Sequence, residues 1–297
     1  MSSAGRRPFC ADVSRDDDEP LAATASVVER WLLVEYRGLW AHDAVDGSTL
    51  SAGLKRTLAA WRYAEPRSRV LFVRRTGRGS GDRLLAFRVT SREGETTSRR
   101  LELERHDDLL GLDLDRAGDP VDHPLLLVCT HGKHDACCAR YGRPLYEAVR
   151  EQVDEEWAWQ CSHVGGDRFA GNLVVLPAGL YFGRVEPAEA WQALDELLAG
   201  RIPMPRYRGR SCHPFPAQAA ERAVREATGL AGFDDLRLAS FQSTVDGWTV
   251  AFTTTAGETW SVDVARREGP LTYLTCSSRE LRHPRHYAAG SPPVRVA

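Results

Sequence analysis

Apolar and polar positions recur with two periods along the chain, and their alternation divides it into three units. The run Trp31-Leu32-Leu33-Val34 has no polar interruption, which predicts a short strand buried on both faces. Leu50, Leu54, Leu58 and Trp61 then fall on one helical stripe behind Ser48, a candidate N-cap. Val70-Leu71-Phe72-Val73 predicts a second strand. Leu85, Phe87 and Val89 alternate, as do Leu101 and Leu103, across a Glu93-Gly94 turn. Residues 26–115 therefore read as an N-terminal βαβββ unit, behind a loose segment 1–25 whose Asp16-Asp17-Asp18-Glu19 run is expected to be a solvated face.

A second unit spans 122–203. Leu125-Leu126-Leu127-Val128 is again an uninterrupted apolar run and ends at Cys129. Pro144 suits the first turn of a helix that carries Leu145, Ala148 and Val149 on one face, with its positive end near Arg143. Trp157-Ala158-Trp159 begins another strand. Leu173–Leu176 and Leu180–Phe182 flank Pro177-Ala178-Gly179 as a hairpin. Pro187 opens a last helix with Ala190, Trp191, Leu194, Leu197 and Leu198 inside, stopped by Gly200. Strand-helix-strand, hairpin, helix is the thioredoxin order. The third unit, 204–297, predicts a helix over 217–227 stopped at Gly229, then an antiparallel meander in which Trp248, Val250 and Phe252 alternate, as do Trp260, Val262 and Val264. Arg206, Arg208 and Arg210 before it are expected on a solvated face, and the proline-rich stretch 283–297 is expected to be loose. The fold class is α/β, or α+β over the whole chain.

Composition narrows the function. The 297 residues are 42% hydrophobic and 27% charged with a formal net charge of −2, so no global basic field favours nucleic acid or an anionic membrane. No apolar run is long enough to span a bilayer, and the first residues lack the apolar stretch of a signal peptide, so the expected location is the cytoplasm. In a reducing compartment the placement of the seven cysteines matters more than their number. Cys10, Cys212 and Cys276 are scattered and read as structural residues. Cys129, Cys137, Cys138 and Cys161 crowd into one window with His131, His134 and His163. Such crowding points to metal or redox chemistry.

The chemistry-bearing runs are Cys129-Thr-His-Gly-Lys-His-Asp-Ala-Cys137-Cys138 and Cys161-Ser-His163-Val-Gly165-Gly166-Asp167-Arg-Phe. Each follows a predicted strand, so two pairs of donors would meet at one edge of a parallel sheet. Thiolates suit iron in a cluster, and imidazole is an accepted substitute. Gly165 and Gly166 would let backbone N–H groups approach cluster sulfur. Residues such as His131, His134 and Asp135 also have plain readings, as loop hydrogen-bonding groups or helix caps. Rival readings are a structural zinc site of Cys129, Cys138, Cys161 and His163, a thiol–disulfide redox protein, and a Rieske-type centre. The first two usually carry Cys-x-x-Cys, which is absent, and the third is an all-β domain.

These runs, with Arg30–Glu35, Ala170-Gly-Asn-Leu-Val-Val-Leu-Pro177 and Tyr207-Arg-Gly-Arg-Ser211, resemble the sucrase/ferredoxin-like family, and the segment 125–202 resembles thioredoxin-like 2Fe–2S ferredoxins. The resemblance implies a 2Fe–2S cluster, one-electron transfer in place of substrate turnover, and an unidentified redox partner protein. Carried over by position, the ligands are Cys129, Cys138 and His163, and the fourth place falls on Asp167. Aspartate departs from the family's Cys-x-x-x-Cys or His-x-x-x-His. On donor chemistry Cys161 ranks ahead of Asp167 for that place.

Overall fold

The computed structural model describes residues 7–76 and 83–296. Among the described residues fifteen strands form two sheets. The elements in chain order are α1 (Cys10–Asp16), β1 (Arg30–Glu35), α2 (Ala52–Ala64), β2 (Ser68–Arg74), β3 (Leu84–Arg92), β4 (Glu95–Leu103), β5 (Asp119–Pro120), β6 (Leu125–Cys129), α3 (Ala136–Arg150), β7 (Ala158–Cys161), β8 (Leu173–Leu176), β9 (Leu180–Phe182), α4 (Ala190–Leu198), β10 (Tyr207–Arg210), α5 (Phe215–Thr228), β11 (Leu236–Ser243), β12 (Trp248–Thr254), β13 (Thr259–Glu268), β14 (Arg285–Ala289) and β15 (Val294–Val296). The larger sheet has ten strands in the order β10-β9-β8-β6-β7-β2-β1-β3-β4-β5.

That order contains the same arrangement twice. β6 and β7 are parallel, joined through α3, with β8 antiparallel on the other side of β6 and β9 beyond it. β1 and β2 are likewise parallel through α2, with β3 and then β4 antiparallel beyond β1. The two arrangements meet edge to edge where β2 pairs antiparallel with β7. The β6–β9 arrangement has the thioredoxin-like order, completed by α4. Neither half leaves its inner edge strand open, which removes an edge that would otherwise recruit another chain.

The helices cover only one side of this sheet. α2 lies over the apolar face of the first half, with Leu54, Leu58 and Trp61 buried against Leu32, Val34 and Phe72. α3 and α4 cover the second half, with Leu145, Val149 and Leu194 against Leu126, Val128 and Val175. The opposite face, with Trp31, Leu33, Phe87, Leu127, Cys129, Trp159 and Tyr181, has no helix over it and is still fully buried. It is covered because the sheet curls onto itself. Trp31 on β1 and Tyr181 on β9 have ring centroids 6.2 Å apart. In a flat sheet those strands would be separated by roughly 24 Å, at about 4.8 Å per neighbour. The two halves thus share one core. The smaller sheet, β11 to β15, packs Val250, Phe252, Val262 and Val264 against Ala217, Ala220 and Val224 of α5.

Several sequence expectations need correction. The helix expected to open at Pro144 begins at Ala136, with Asp135 as N-cap, so Pro144 lies inside it. α2 is capped by Ser51, whose hydroxyl accepts from Leu54 N, not by Ser48. Trp191 is 61% exposed and takes no part in the core. The described part of the C-terminal stretch, 283–296, is not loose: β14 (Arg285–Ala289) and β15 (Val294–Val296) both pair with β13 (Thr259–Glu268). Nor is the described part of the N-terminal segment: α1 buries Cys10 and Ala11, and Glu19 is buried with Arg168 Nε 2.7 Å from its carboxylate. Arg208 and Arg210 are buried as well, and only Arg206 keeps the expected solvent exposure, paired with Glu189 at 2.7 Å.

Candidate metal centre

The site forms where β6 and β7 end. Cys129 and Cys161 are the last residues of these parallel strands and face each other in register. Beyond Cys129 the chain turns through His131, whose carbonyl accepts from the amides of His134 and Asp135. Asp135 then starts α3 by accepting from Cys137 N at 2.8 Å, which places Cys138 in the first helical turn. The helix can sit this close to the strand end because residue 142 is glycine. A Cβ there would lie 1.9 Å from the carbonyl oxygen of Cys129. Sequence spacing gave no hint of that contact.

The second arm leaves β7 at Ser162. The His163 amide donates to Nδ1 of His131 at 3.3 Å, and Nε2 of His131 is 2.6 Å from the Ala41 carbonyl. An Nδ1 that accepts requires the Nε2–H tautomer, so His131 is neutral. Burial lowers its pKa further. Gly165 and Gly166 follow with φ of 98° and 82°, in the left-handed region that favours glycine. The space a side chain would need is taken by Ser26 Oγ at Gly165 and by the Arg208 guanidinium at Gly166, each 2.4 Å from the ideal Cβ. Arg208 donates to Gly165 O at 3.1 Å and to Asn172 Oδ1 at 2.7 Å. Burial lowers its pKa to about 10, so it stays charged at neutral pH. A buried cation therefore stands directly behind the loop that delivers His163 and Asp167.

The donor atoms converge. Sγ of Cys129, Sγ of Cys138 and a ring nitrogen of His163 lie within 4.8 Å of one another, and so do donors of His134, His163 and Asp167. Cys138 Sγ is 3.2 Å from Asp167 Oδ1 and 4.0 Å from His163 Nδ1. His163 Nδ1 is 3.0 Å from the same carboxylate oxygen. Cys161 lies behind Cys129: its thiol is buried in the same core and bonds Cys129, but it is not among the donors that lie within 4.8 Å of one another.

The charges are coupled. Bonds from Cys138, Cys161 and His163 hold the Cys129 thiol well below its usual range despite burial. Cys138 moves the other way, because Cys129, burial and Asp167 all disfavour a second negative charge. Burial opposes a charged His163, yet the Asp167 carboxylate and Cys129 outweigh it and hold the imidazolium at about 9. Without metal, protons are thus favoured on Cys138 and His163 over Cys129. Loading the group means displacing protons from Cys138 and His163.

His163 marks the way out. Its side chain is 22% exposed at the foot of a cleft of about 310 Å³. The His134 ring stacks on it at 3.8 Å and 17°, and His42 lies beyond at 4.9 Å from His134. His42 comes from the loop before α2, in the other half of the sheet, where no spacing rule links it to the site.

The sucrase/ferredoxin-like family model matches residues 21–209, most of the chain. The chain belongs to the sucrase/ferredoxin-like family. Among curated proteins, the "Altered inheritance of mitochondria protein 32" of Eremothecium gossypii is 33% identical over 106 residues, 31% of this chain and 34% of that protein. The protein of the same name from Meyerozyma guilliermondii is 32% identical over 100 residues, 30% of this chain and 35% of that one. The chain therefore spans about a third of the length of these relatives. Among solved structures, the thioredoxin-like 2Fe–2S ferredoxin from Aquifex aeolicus is 16% identical, with 32% of this chain and 97% of that one covered at a TM-score of 0.29. A serine variant of it gives 17% identity and a TM-score of 0.27 over 30% of this chain and 100% of that one. No described helix is long and apolar enough to cross a membrane.

Proposed function

We propose that this family member is a one-electron carrier whose 2Fe–2S cluster is held by Cys129, Cys138, His163 and Asp167. The observation that carries the reading is the convergence of two thiols, an imidazole nitrogen and a carboxylate oxygen from the ends of two parallel strands. The donor chemistry fits: thiolate with imidazole is an accepted set for such clusters. For the fourth position the geometry favours Asp167, which touches both Cys138 and His163, over Cys161, the reverse of the order set by donor chemistry alone.

When bound, the cluster would supply reversible one-electron chemistry, and a neutral imidazole ligand raises its potential relative to four thiolates. The chain's own residues do the rest. Gly142 lets α3 seat Cys138 against Cys129. Arg208 fixes the Gly165-Gly166 loop and places a positive charge behind an anionic centre. The shared core excludes water from Cys129. His163, partly exposed and stacked on His134, is the point at which an electron and a proton can leave together. A redox partner protein docking over the cleft would meet these two rings, with Lys55, Arg62 and Arg69 around them.

The compactness of the donor group also suits a single structural zinc ion. Anaerobic purification followed by iron, acid-labile sulfide and zinc assays on one sample separates the two readings. Equal iron and sulfide with visible charge-transfer bands supports the carrier. A colourless protein whose zinc is lost in Cys138→Ser and His163→Ala refutes it.

A further inference from the structure

A second thiol group lies on the other side of α3's first turn, and nothing above uses it. Cys10, Cys137 and Cys276 come from α1, from α3 and from the loop after β13. Their sulfurs form a triangle: Cys137 to Cys276 is 3.3 Å, Cys10 to Cys137 is 3.6 Å and Cys10 to Cys276 is 3.6 Å. Asp135 closes the fourth side, with its carboxylate 3.8 Å from the Cys10 sulfur. A disulfide would need sulfurs about 2.05 Å apart and would leave one thiol over. A tetrahedral zinc ion with bonds of about 2.3 Å places its thiolates roughly 3.7 Å apart. The observed triangle is within a few tenths of an ångström of that.

Packing alone does not account for the group. Free cysteines can serve as small apolar residues, and Ala11 and Ala170 complete an apolar pocket here. A carboxylate does not belong in such a pocket. Asp135 is 3% exposed, and among the described residues no Lys, Arg or His side chain lies within ion-pairing distance of it. Its two oxygens accept from backbone amides, Cys137 N at 2.8 Å and Cys276 N at 2.6 Å, and from the Cys10 thiol at 4.0 and 3.8 Å. Hydrogen-bonded carboxylates are the usual state of a metal ligand, and a bound zinc would displace the Cys10 proton. A buried anion beside three thiols lacks a cation. Cys276 is only partly buried, which leaves an ion a route in. The four donors form a group of their own that shares no residue with Cys129, Cys138 and His163, and Cys10 and Cys276 lie outside the residues matched by the family model.

We propose that Cys10, Cys137, Cys276 and Asp135 bind one structural zinc ion, which ties the N-terminal helix and the loop after β13 to the first turn of α3.

Zinc added to metal-free Cys138→Ser/His163→Ala protein, whose first centre no longer competes for the ion, with zinc K-edge absorption spectroscopy of the product, tests the coordination. The proposal expects one zinc per chain bound to three sulfurs at about 2.3 Å and one oxygen at about 2.0 Å. Cys10→Ser and Cys276→Ser are each expected to lower zinc content at least tenfold while iron and sulfide on the same samples stay unchanged. A zinc shell containing nitrogen, zinc content unaffected by either variant, or a native Cys10–Cys276 or Cys137–Cys276 disulfide found by mass spectrometry would overturn it. Zinc bound in the sulfur-rich shell of a protein that holds no iron would uphold this site and defeat the electron-carrier reading, so the two fail separately.

Discussion

Replacing Gly142 with alanine tests whether one close approach sets the ligand geometry. The added Cβ would sit 1.9 Å from the Cys129 carbonyl oxygen, a backbone atom that cannot rotate away. Restoring even a tight contact requires the helix to recede by on the order of 1 Å at this turn. Cys138 lies one turn earlier on the same face of α3, so it moves with residue 142. Metal–ligand distances tolerate only about 0.2 Å. The displacement exceeds that several-fold, so Gly142→Ala is expected to lose most of its iron and sulfide. Two terms compete for stability. Alanine gains about 1 kcal/mol of helix propensity over glycine. Overpacking typically costs about 1–3 kcal/mol, and a clash with backbone belongs at the upper end. The net expectation is a loss of about 1–2 kcal/mol and a melting temperature lower by a few degrees. Iron and sulfide assays, the visible spectrum and thermal denaturation read out both parts, with Glu147→Ala on the exposed face of α3 as control. Full cluster occupancy together with a raised melting temperature would show that propensity wins and that the Gly142 contact does not position Cys138.

Three other outcomes follow from the same geometry. Asp167→Ala is expected to bleach the visible bands, Asp167→Cys to restore them at a lower reduction potential, and Cys161→Ser to leave them in place; the reverse pattern would make Cys161 the ligand. Reconstitution of metal-free protein with iron and sulfide is expected to speed up as pH rises toward about 9, because His163 and Cys138 must each give up a proton, and a flat rate profile would refute the coupling. Glu221 is buried among Arg225 at 3.0 Å, Arg210 at 3.8 Å and His213 at 3.4 Å. Glu221→Ala strands those cations and is expected to cost about 3–5 kcal/mol in denaturant unfolding without changing the visible spectrum; a cost below about 1 kcal/mol would contradict the assignment.

Local pattern made the strands legible, and long-range pairing stayed hidden. Uninterrupted apolar runs at Trp31–Val34 and Leu125–Val128 mark strands that are buried on both faces, and the structure shows why: helices cover one side and the curled sheet covers the other. Pro144 misled, because proline most often opens a helix, whereas here it sits inside one that Asp135 has already capped. The cysteine and histidine crowding marked the window in which the folded chain brings Cys129, Cys138 and His163 within 4.8 Å of one another. Donor softness ranks Cys161 ahead of Asp167, whereas placement could not be read from the sequence: Cys161 ends a strand behind Cys129, and Asp167 lies in a turn beside Cys138 and His163. The Cys10, Cys137 and Cys276 group left no signal at all. Its members are separated by most of the chain, and only the folded termini bring them together.

The measurement closest to the central claim is electron paramagnetic resonance of the reduced protein, with histidine labelled by nitrogen-15. Mixed ligation predicts a spin-one-half signal from a reduced 2Fe–2S cluster, with strong coupling to a single histidine nitrogen that disappears in His163→Cys while the signal itself persists. A reduced protein with no such signal, or one whose signal lacks nitrogen coupling, would contradict a cluster held by Cys129, Cys138, His163 and Asp167.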